Sequence, residues 1–497
     1  MAFKRVVVLG GGPIGLFCAI EAAEQFNSMF SKVTLVEMRQ GYSRMNVPTL
    51  DQPIRDHLGK LGIKTAALGK ADASPLAQVE TALQQKARGV GVRMREGFVA
   101  TDIAGGDRRK DGRFKDVAIT IAGWDHVNRT TTKKREVLNA DLLVLAVGAS
   151  GIESDLFKRT LGFEHKALKA ESFALYGVYD KSSTIGIRLD AKLQKAVEEL
   201  GKTTTITTDD TQYLLVTLKN VSPSDFARLK ASSAELRRCM TAVGSGYNND
   251  IMGHLNANAK AVGAFEVKIK RAGHSISPNF PAILVGDAAV SPHPSTGSGI
   301  GTGFHGFEAF QDLLRALKAT NRSSDEAVDA LCAFEDSYEI YIAAKAIEGT
   351  IVTLHHLIGL VAGYERACDR DFAATKGIDA KMLIRYNAMG AGLLRMEMES
   401  QMNRAQLFGR LLRDDVVRID AAAQRTPRGM SDLSRELAGR DGNATGSLQS
   451  NDSIDRLWGD IGNTYQQMND MLRKYAPLEG ALRTIEADMR LKGVKVG

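Results

Sequence analysis

A glycine-rich turn near the start of the chain has the residue types and spacing needed to hold a phosphate group. Gly10-Gly11-Gly12-Pro13-Ile14-Gly15 directly follows the apolar run Val6-Val7-Val8-Leu9 and opens a helical pattern. In such a turn the first glycine permits a tight bend, the second lets the backbone approach a pyrophosphate, and the third lets the helix pack on the strand. The helix N-terminus offers unpaired N–H groups to the phosphates. The candidate dinucleotide contacts in this turn are Gly10, Gly12, Pro13, Ile14 and Gly15.

A carboxylate ends the next strand pattern. Glu37 follows Val33-Thr34-Leu35-Val36, about 20 residues beyond the glycines, where dinucleotide folds place the acid that binds ribose. A carboxylate there accepts hydrogen bonds from both ribose hydroxyls and repels a 2′-phosphate. Glu37 and the two residues after it, Met38 and Arg39, are therefore candidate contacts of the adenosine half.

A second glycine-rich segment lies in the middle of the chain. An apolar strand pattern at 282–285 leads into Gly286-Asp287, and Pro294-Ser295-Thr296-Gly297-Ser298-Gly299-Ile300 follows. This segment closely resembles the second FAD fingerprint of the group A flavoprotein monooxygenases, the para-hydroxybenzoate hydroxylase-like family. The resemblance implies that Asp287 contacts the ribityl chain of FAD. It also implies that the later part lies along the isoalloxazine, with contacts from Pro294, Gly297, Ser298, Gly299 and Ile300.

Four shorter segments extend the resemblance. Arg44-Met45-Asn46-Val47 looks like the Arg-bearing segment of the family, which makes Arg44 a candidate partner of the FAD phosphates. Gln78 occupies the place of a polar residue that contacts the flavin. These two segments, together with 212–219, are most similar to the MICAL-type monooxygenase domains. Gly148 aligns with the first glycine of the Gly-Ala-Asp-Gly motif, but Ser150 replaces its aspartate, which leaves the docking of the reductant open.

The resemblance implies an FAD-dependent monooxygenase. In that family NAD(P)H binds transiently and reduces FAD, which then activates oxygen as a C4a-hydroperoxide and oxygenates an organic substrate. The substrate is a small molecule or a protein, and no residue is identified as a catalytic acid or base, because the cofactor carries the chemistry. Two alternatives stay open: an FAD-dependent reductase or dehydrogenase on the same fold, and a flavin-binding interaction module with a partner-binding helical tail.

The elements that must position these residues follow an α/β pattern. Strands at 5–9, 33–37 and 141–147 alternate with helices at about 13–26 and 75–89, as in a parallel sheet covered by helices. Short alternating strands follow from about 170 to 270 and predict a mainly antiparallel sheet inserted into the Rossmann-type domain. The chain beyond about 325 has helical patterns throughout.

The predicted organisation has three parts. Residues 1–165 and 271–325 form a discontinuous FAD-binding domain, 166–270 form the inserted sheet domain, and 326–497 form a helical C-terminal region with a candidate linker at 426–452. Residues 453–491 have apolar positions at helical spacing on both sides of Pro477. These two helices pack on the chain's own helical region, or they form the seam of a homo-oligomer or a partner complex.

The composition narrows the class of protein. The chain has 497 residues with 65 Lys and Arg against 58 Asp and Glu, a formal net charge of +7, without an RNA-recognition motif or zinc-ligand spacing. We therefore expect neither nucleic-acid binding nor a metal site. Four scattered cysteines are typical of reduced intracellular thiols. No uninterrupted apolar stretch is long enough to span a membrane, so the expected localisation is cytoplasmic.

Overall fold

The computed structural model of the chain describes residues 3–42, 46–48, 50, 52–64, 68, 73–105, 117–152, 154–180, 201–208, 211–218, 223–234, 236–237, 240, 261–291, 303–304, 306–319, 325–339 and 466. In chain order the elements are β1 (Arg5–Leu9), α1 (Pro13–Glu24), β2 (Lys32–Glu37), α2 (Gln52–Lys60), α3 (Leu76–Gly89), β3 (Arg93–Glu96), β4 (Phe98–Gly105), β5 (Val117–Asp125), β6 (Thr130–Ala140), β7 (Leu142–Leu145), α4 (Gly148–Gly151), β8 (His165–Asp180), β9 (Gly201–Thr207), β10 (Thr211–Leu218), α5 (Pro223–Ala231), β11 (Ala261–Ala272), β12 (Ala282–Leu284), β13 (Val290–Ser291), α6 (Phe307–Ala319) and α7 (325–339).

A parallel sheet forms the centre of the fold, as the apolar strand patterns predict. Its order is β12-β7-β1-β2-β3, and every neighbouring pair is parallel. The strands β1 and β7 are continuous Val and Leu runs because both faces of the sheet are buried. Since parallel strands end at the same edge, the turns after β1, β2, β7 and β12 come together there.

Helices cover this sheet and complete its core. The helix α1 begins at Pro13, whose fixed φ suits the first helical position, and it buries Leu16, Phe17 and Ile20 completely or almost completely. The Phe17 ring makes edge-on contacts with Phe304 and Phe307, at centroid distances of 4.8 and 4.0 Å. The segment after the second glycine-rich region therefore packs directly on the helix of the first.

The second sheet is antiparallel, in the order β13-β11-β8-β10-β9. Because side chains alternate along a strand, its two faces have different partners. Leu214 and Val216 pack with Phe226 of α5, whereas Tyr213 and Leu215 belong to a cluster on the opposite face. The mainly antiparallel sheet predicted for this region is confirmed, while the domain boundaries at 165/166 and 270/271 stay predictions.

A third sheet, which the sequence patterns did not predict, consists of β4, β5 and β6 in an antiparallel arrangement. Most of β6 is exposed, including the run from Thr130 to Arg135. The strand therefore lacks the alternation of apolar residues from which a strand is predicted. Glu136 of β6 accepts hydrogen bonds from Arg93 and Arg95 of β3 at 2.8 Å. These ion pairs fasten the third sheet to the edge of the parallel one.

The candidate linker at 426–452 lies outside the described residues, and so does the tail at 453–491 apart from Gln466. Their predicted roles therefore stay predictions. Within the described ranges, no helix has the length and apolar content needed to cross a membrane.

Candidate functional site

A cavity of about 860 Å³ lies at the edge where the parallel strands end. This volume is in the range of sites for small molecules and cofactors. Ten of the residues selected from the sequence line it: Gly10, Gly12, Pro13, Ile14, Gly15, Glu37, Met38, Arg39, Gly148 and Asp287. The strand ends thus bring together residues from both glycine-rich segments.

The glycines of the first turn are required for different physical reasons. Gly10 has a φ of 101°, and a Cβ there would lie 2.3 Å from the Ala146 carbonyl oxygen. A Cβ on Gly15 would lie 1.9 Å from the Gly10 carbonyl oxygen. Both positions therefore require glycine for packing. Gly12 is different, because no atom of the described residues lies within 4 Å of its Cβ position.

The open space beside Gly12 adjoins the N-terminus of α1. Gly12 is the N-cap residue, and no side chain among the described residues caps the helix. Unpaired N–H groups and the helix dipole favour an anion at such a position. The turn therefore has both the room and the electrostatics for a phosphate group.

Glu37 lies at the cavity edge in a dense set of hydrogen bonds. It is 6% exposed and accepts the N–H groups of Gly11 at 2.6 Å and Arg39 at 2.8 Å. The Arg39 guanidinium adds bonds of 2.8 Å from Nε and 3.1 Å from Nη2. Burial raises the pKa of the Glu37 carboxyl, but the bonds and charge of Arg39 and the Gly11 N–H outweigh it and hold that pKa below its ordinary value. Glu37 is therefore an ionised acceptor.

The turn after β7 forms another wall. Gly148 has a φ of 73°, and none of the described residues has an atom within 4 Å of its Cβ position. Ser150, which stands where the family has aspartate, lies within α4. The carbonyl of the adjacent Ala149 accepts a hydrogen bond of 2.8 Å from the ammonium of Lys270, a buried residue of β11. This bond ties the antiparallel sheet to the cavity wall, and no sequence pattern predicted it.

The second glycine-rich segment is described only in part. Gly286 has a φ of 60°, and Asp287 lines the cavity. A Cβ on Gly303 would lie 2.3 Å from Ile14 Cγ1, so the segment resumes in close contact with the first turn. Arg44 and the flavin-contact candidates of the later part, namely Pro294, Gly297, Ser298, Gly299 and Ile300, lie outside the described residues.

Part of the chain matches a known protein family, and its fold is similar to several solved structures. Residues 5–68, which include the glycine turn and Glu37, match the family model of pyridine nucleotide-disulphide oxidoreductases. Among solved structures, the Diels-Alderase PyrE3 of pyrroindomycin biosynthesis is 18% identical, with 76% of this chain and 79% of that chain covered and a TM-score of 0.50. A mutant form of 2-methyl-3-hydroxypyridine-5-carboxylic acid oxygenase is 17% identical, with 71% and 92% covered and a TM-score of 0.50.

The myxobacterial chondrochloren halogenase CndH, a variant of the FAD-dependent halogenases, is 15% identical, with 70% and 83% covered and a TM-score of 0.50. The chain shares the fold of these three solved structures. The fold-level resemblance is thereby confirmed, whereas the closer likeness to MICAL-type domains stays a prediction. A search of curated proteins finds no match.

One described candidate residue is not among the residues that line the cavity. Gln78 is exposed on α3, and its side-chain carbonyl accepts a hydrogen bond of 3.2 Å from the Ser74 hydroxyl. Its contact with the flavin stays a prediction.

The sequence patterns missed the apolar part of the lining. These residues come from a loop, α3, β4 and the antiparallel sheet: Val47, Leu76, Phe98, Tyr213, Leu215 and Phe265. The alternation of Tyr213 and Leu215 in β10 was a signal that both face the same side. Nothing in the local sequence indicated that β4, from an unpredicted sheet, approaches the same cavity.

A buried tyrosine supports the second glycine-rich turn. The Tyr338 hydroxyl, on α7, accepts the Gly286 N–H at 2.8 Å, and Tyr338 is 1% exposed. Tyr338→Phe is expected to lower the free energy of unfolding by about 1–3 kcal/mol, because the buried N–H loses its acceptor. Urea denaturation measures this change.

Tyr42→Phe is the matched control for Tyr338→Phe. The Tyr42 hydroxyl is also buried, but it has no hydrogen-bond partner among the described residues. Its removal is therefore expected to leave the stability unchanged or slightly higher. Equal losses in the two variants would show that the bond to Gly286 is not the cause.

Proposed function

We propose that the chain is an FAD-dependent oxidoreductase of the monooxygenase type. The observation that carries the proposal is the continuity of the cavity, which joins the glycine turn and Glu37 to the apolar face of the antiparallel sheet. One end has groups suited to a dinucleotide, and the other has side chains suited to an organic molecule. A site that only bound a nucleotide would need no apolar chamber.

The residues present fit FAD. Gly12 and the N-terminus of α1 would receive the pyrophosphate, because they combine open space with unpaired N–H groups. Glu37 would accept the ribose hydroxyls as an ionised carboxylate. Asp287, an exposed residue on the cavity lining, would bind the ribityl chain as the family resemblance implies.

The apolar lining supports an organic small-molecule substrate. Phe98 of β4 and Tyr213, Leu215 and Phe265 of the antiparallel sheet would surround it and exclude water from the reacting centre. Bound FAD would accept a hydride from NAD(P)H and activate oxygen for transfer to this substrate. The protein residues bind and orient, and none of them is assigned as an acid or base.

The proposal predicts that the purified protein binds FAD without a covalent link. The apoprotein, mixed with FAD, is expected to show the visible flavin absorption, and denaturation is expected to release FAD intact. Recovery of FMN, or failure to bind FAD, would contradict the proposal.

Oxygen and product measurements distinguish the functional alternatives. NAD(P)H oxidation coupled to oxygen uptake and an oxygenated product supports the monooxygenase. Flavin reduction with hydride transfer to an organic acceptor, and without oxygenation, supports the reductase. Bound FAD that NADH and NADPH both fail to reduce supports the interaction module.

A further inference from the structure

Arg39 has three partners at the adenosine end of the cavity. Two of its guanidinium nitrogens donate to Glu37, at 2.8 and 3.1 Å, and the third donates to Glu80 at 3.3 Å. The guanidinium carbon lies 5.0 Å from the ring centroid of Tyr42. Glu37 and Arg39 line the cavity, whereas neither Glu80 nor Tyr42 is among the described lining residues.

The Glu37 carboxylate is already fully used as an acceptor. Its Oε1 accepts the Arg39 N–H and Nε–H, and its Oε2 accepts the Gly11 N–H and one Nη2–H of Arg39. A carboxylate has roughly four lone-pair positions in all. Ribose hydroxyls that donate to Glu37 must therefore compete with the guanidinium of Arg39.

A second carboxylate is within reach of that guanidinium. Glu80 is completely buried on α3 and already accepts one of its bonds. The Tyr42 ring lies beside the guanidinium and supports its charge by a cation–π contact. A Cβ on Gly11 would be 2.9 Å from both the Tyr42 hydroxyl and Glu37 Oε2, so these groups are held close together at the base of the turn.

We propose that Glu80 and Tyr42 are positioning residues for dinucleotide binding. The guanidinium of Arg39 donates to both Glu37 and Glu80 when no ribose competes, and it keeps its bond to Glu80, beside the Tyr42 ring, when ribose hydroxyls displace it from Glu37. This inference rests on the proposed function, because the ribose is that of FAD. Its consequence is that a carboxylate outside the cavity sets the affinity for the cofactor.

The test measures FAD binding to the full-length apoprotein by quenching of flavin fluorescence. Glu80→Gln is expected to raise the FAD dissociation constant about tenfold, since the displaced guanidinium loses its second carboxylate. In the Arg39→Ala background the same substitution is expected to have no further effect, as a double-mutant cycle detects. The matched control is Glu24→Gln, which removes a carboxylate paired at 2.8 Å with Lys86, another residue of α3, and is expected to leave FAD binding unchanged.

The Tyr42 ring is tested by two substitutions. Tyr42→Leu removes the aromatic face and is expected to weaken FAD binding, whereas Tyr42→Phe keeps the face and is expected to retain it. If the Glu80→Gln variant does not fold, the comparison of Tyr42→Leu with Tyr42→Phe tests the positioning role instead.

The outcomes separate the two proposals. Failure of the unmodified protein to bind FAD would overturn the proposed function. Normal FAD binding by a folded Glu80→Gln variant, or an equal effect of that substitution with and without Arg39, would overturn only the positioning role. Equal FAD binding by Tyr42→Leu and the unmodified protein would also overturn it.

Discussion

Gly15→Ala is expected to destabilise the fold, because its Cβ would lie 1.9 Å from the Gly10 carbonyl oxygen. That oxygen belongs to the backbone, so the helix α1 must shift away from β1 to relieve the contact. Such overpacking is expected to lower the free energy of unfolding by about 3 kcal/mol. Chemical denaturation of the apoprotein measures the loss.

Gly12→Ala is the matched substitution with the opposite pattern. Within the part of the chain that the structure describes, no atom lies within 4 Å of the Gly12 Cβ position, so the apoprotein is expected to keep its stability. The added methyl occupies the space proposed for the pyrophosphate. The pyrophosphate then loses charge-assisted hydrogen bonds to the protein, which are worth roughly 1.5–3 kcal/mol each. FAD affinity is therefore expected to fall about 100-fold, or about 2.7 kcal/mol.

The two glycine variants must differ for this interpretation to stand. Unchanged stability of Gly15→Ala would mean that the turn relaxes without moving α1. An unchanged FAD dissociation constant for Gly12→Ala would show that the pyrophosphate does not lie over that residue.

Glu37→Ala is the second substitution with a large expected effect. It removes the acceptor of the buried Gly11 N–H and the closest partner of Arg39, and it removes the proposed ribose contact. Loss of these bonds is expected to cost about 1–3 kcal/mol of FAD binding, which is roughly a fivefold to 150-fold rise in the dissociation constant. Equilibrium titration with FAD measures it.

Glu136→Ala is the matched control for Glu37→Ala. Like Glu37, Glu136 accepts hydrogen bonds from arginine, in this case Arg93 and Arg95, but it is not among the described residues that line the cavity. Its loss is expected to leave FAD affinity unchanged. Equal effects of the two substitutions would contradict a local role of Glu37 at the ribose.

The pH dependence of stability follows from the lowered pKa of Glu37. Because its pKa is lower in the folded protein than in the unfolded chain, its contribution to stability is present above the unfolded value of about 4.3 and is lost as the pH falls through the folded value. The stability difference between the unmodified protein and Glu37→Ala is therefore expected to shrink below about pH 4.

Much of the fold could be predicted from local patterns. The buried runs of β1 and β7 and the alternation in β10 are direct consequences of where each strand lies. The sheet formed by β4, β5 and β6 could not be predicted from local patterns, because β6 is largely exposed and contains the polar run Thr130 to Arg135. An exposed strand is defined by its hydrogen bonds to neighbouring strands, and the local sequence pattern does not indicate those bonds.

The candidate site divides in the same way. Its glycine turn and Glu37 are recognisable because each meets a requirement within one βαβ unit, such as a tight bend or a strand-end acid. The apolar wall of the site is not recognisable from the sequence, because Phe98 and Tyr213 reach the same cavity from two different sheets. Their convergence depends on how those sheets pack against each other.

The sequence by itself determined the dinucleotide turn, the strand-end carboxylate and the parallel sheet, since short-range stereochemistry and apolar periodicity dictate them. Only the tertiary structure decided that Arg39 is shared by Glu37 and Glu80, which belong to different elements. It likewise decided that Lys270 binds the carbonyl of Ala149, 121 residues away along the chain. Contacts of this kind arise because packing desolvates polar groups and each must then find a partner, whichever residue the fold brings near.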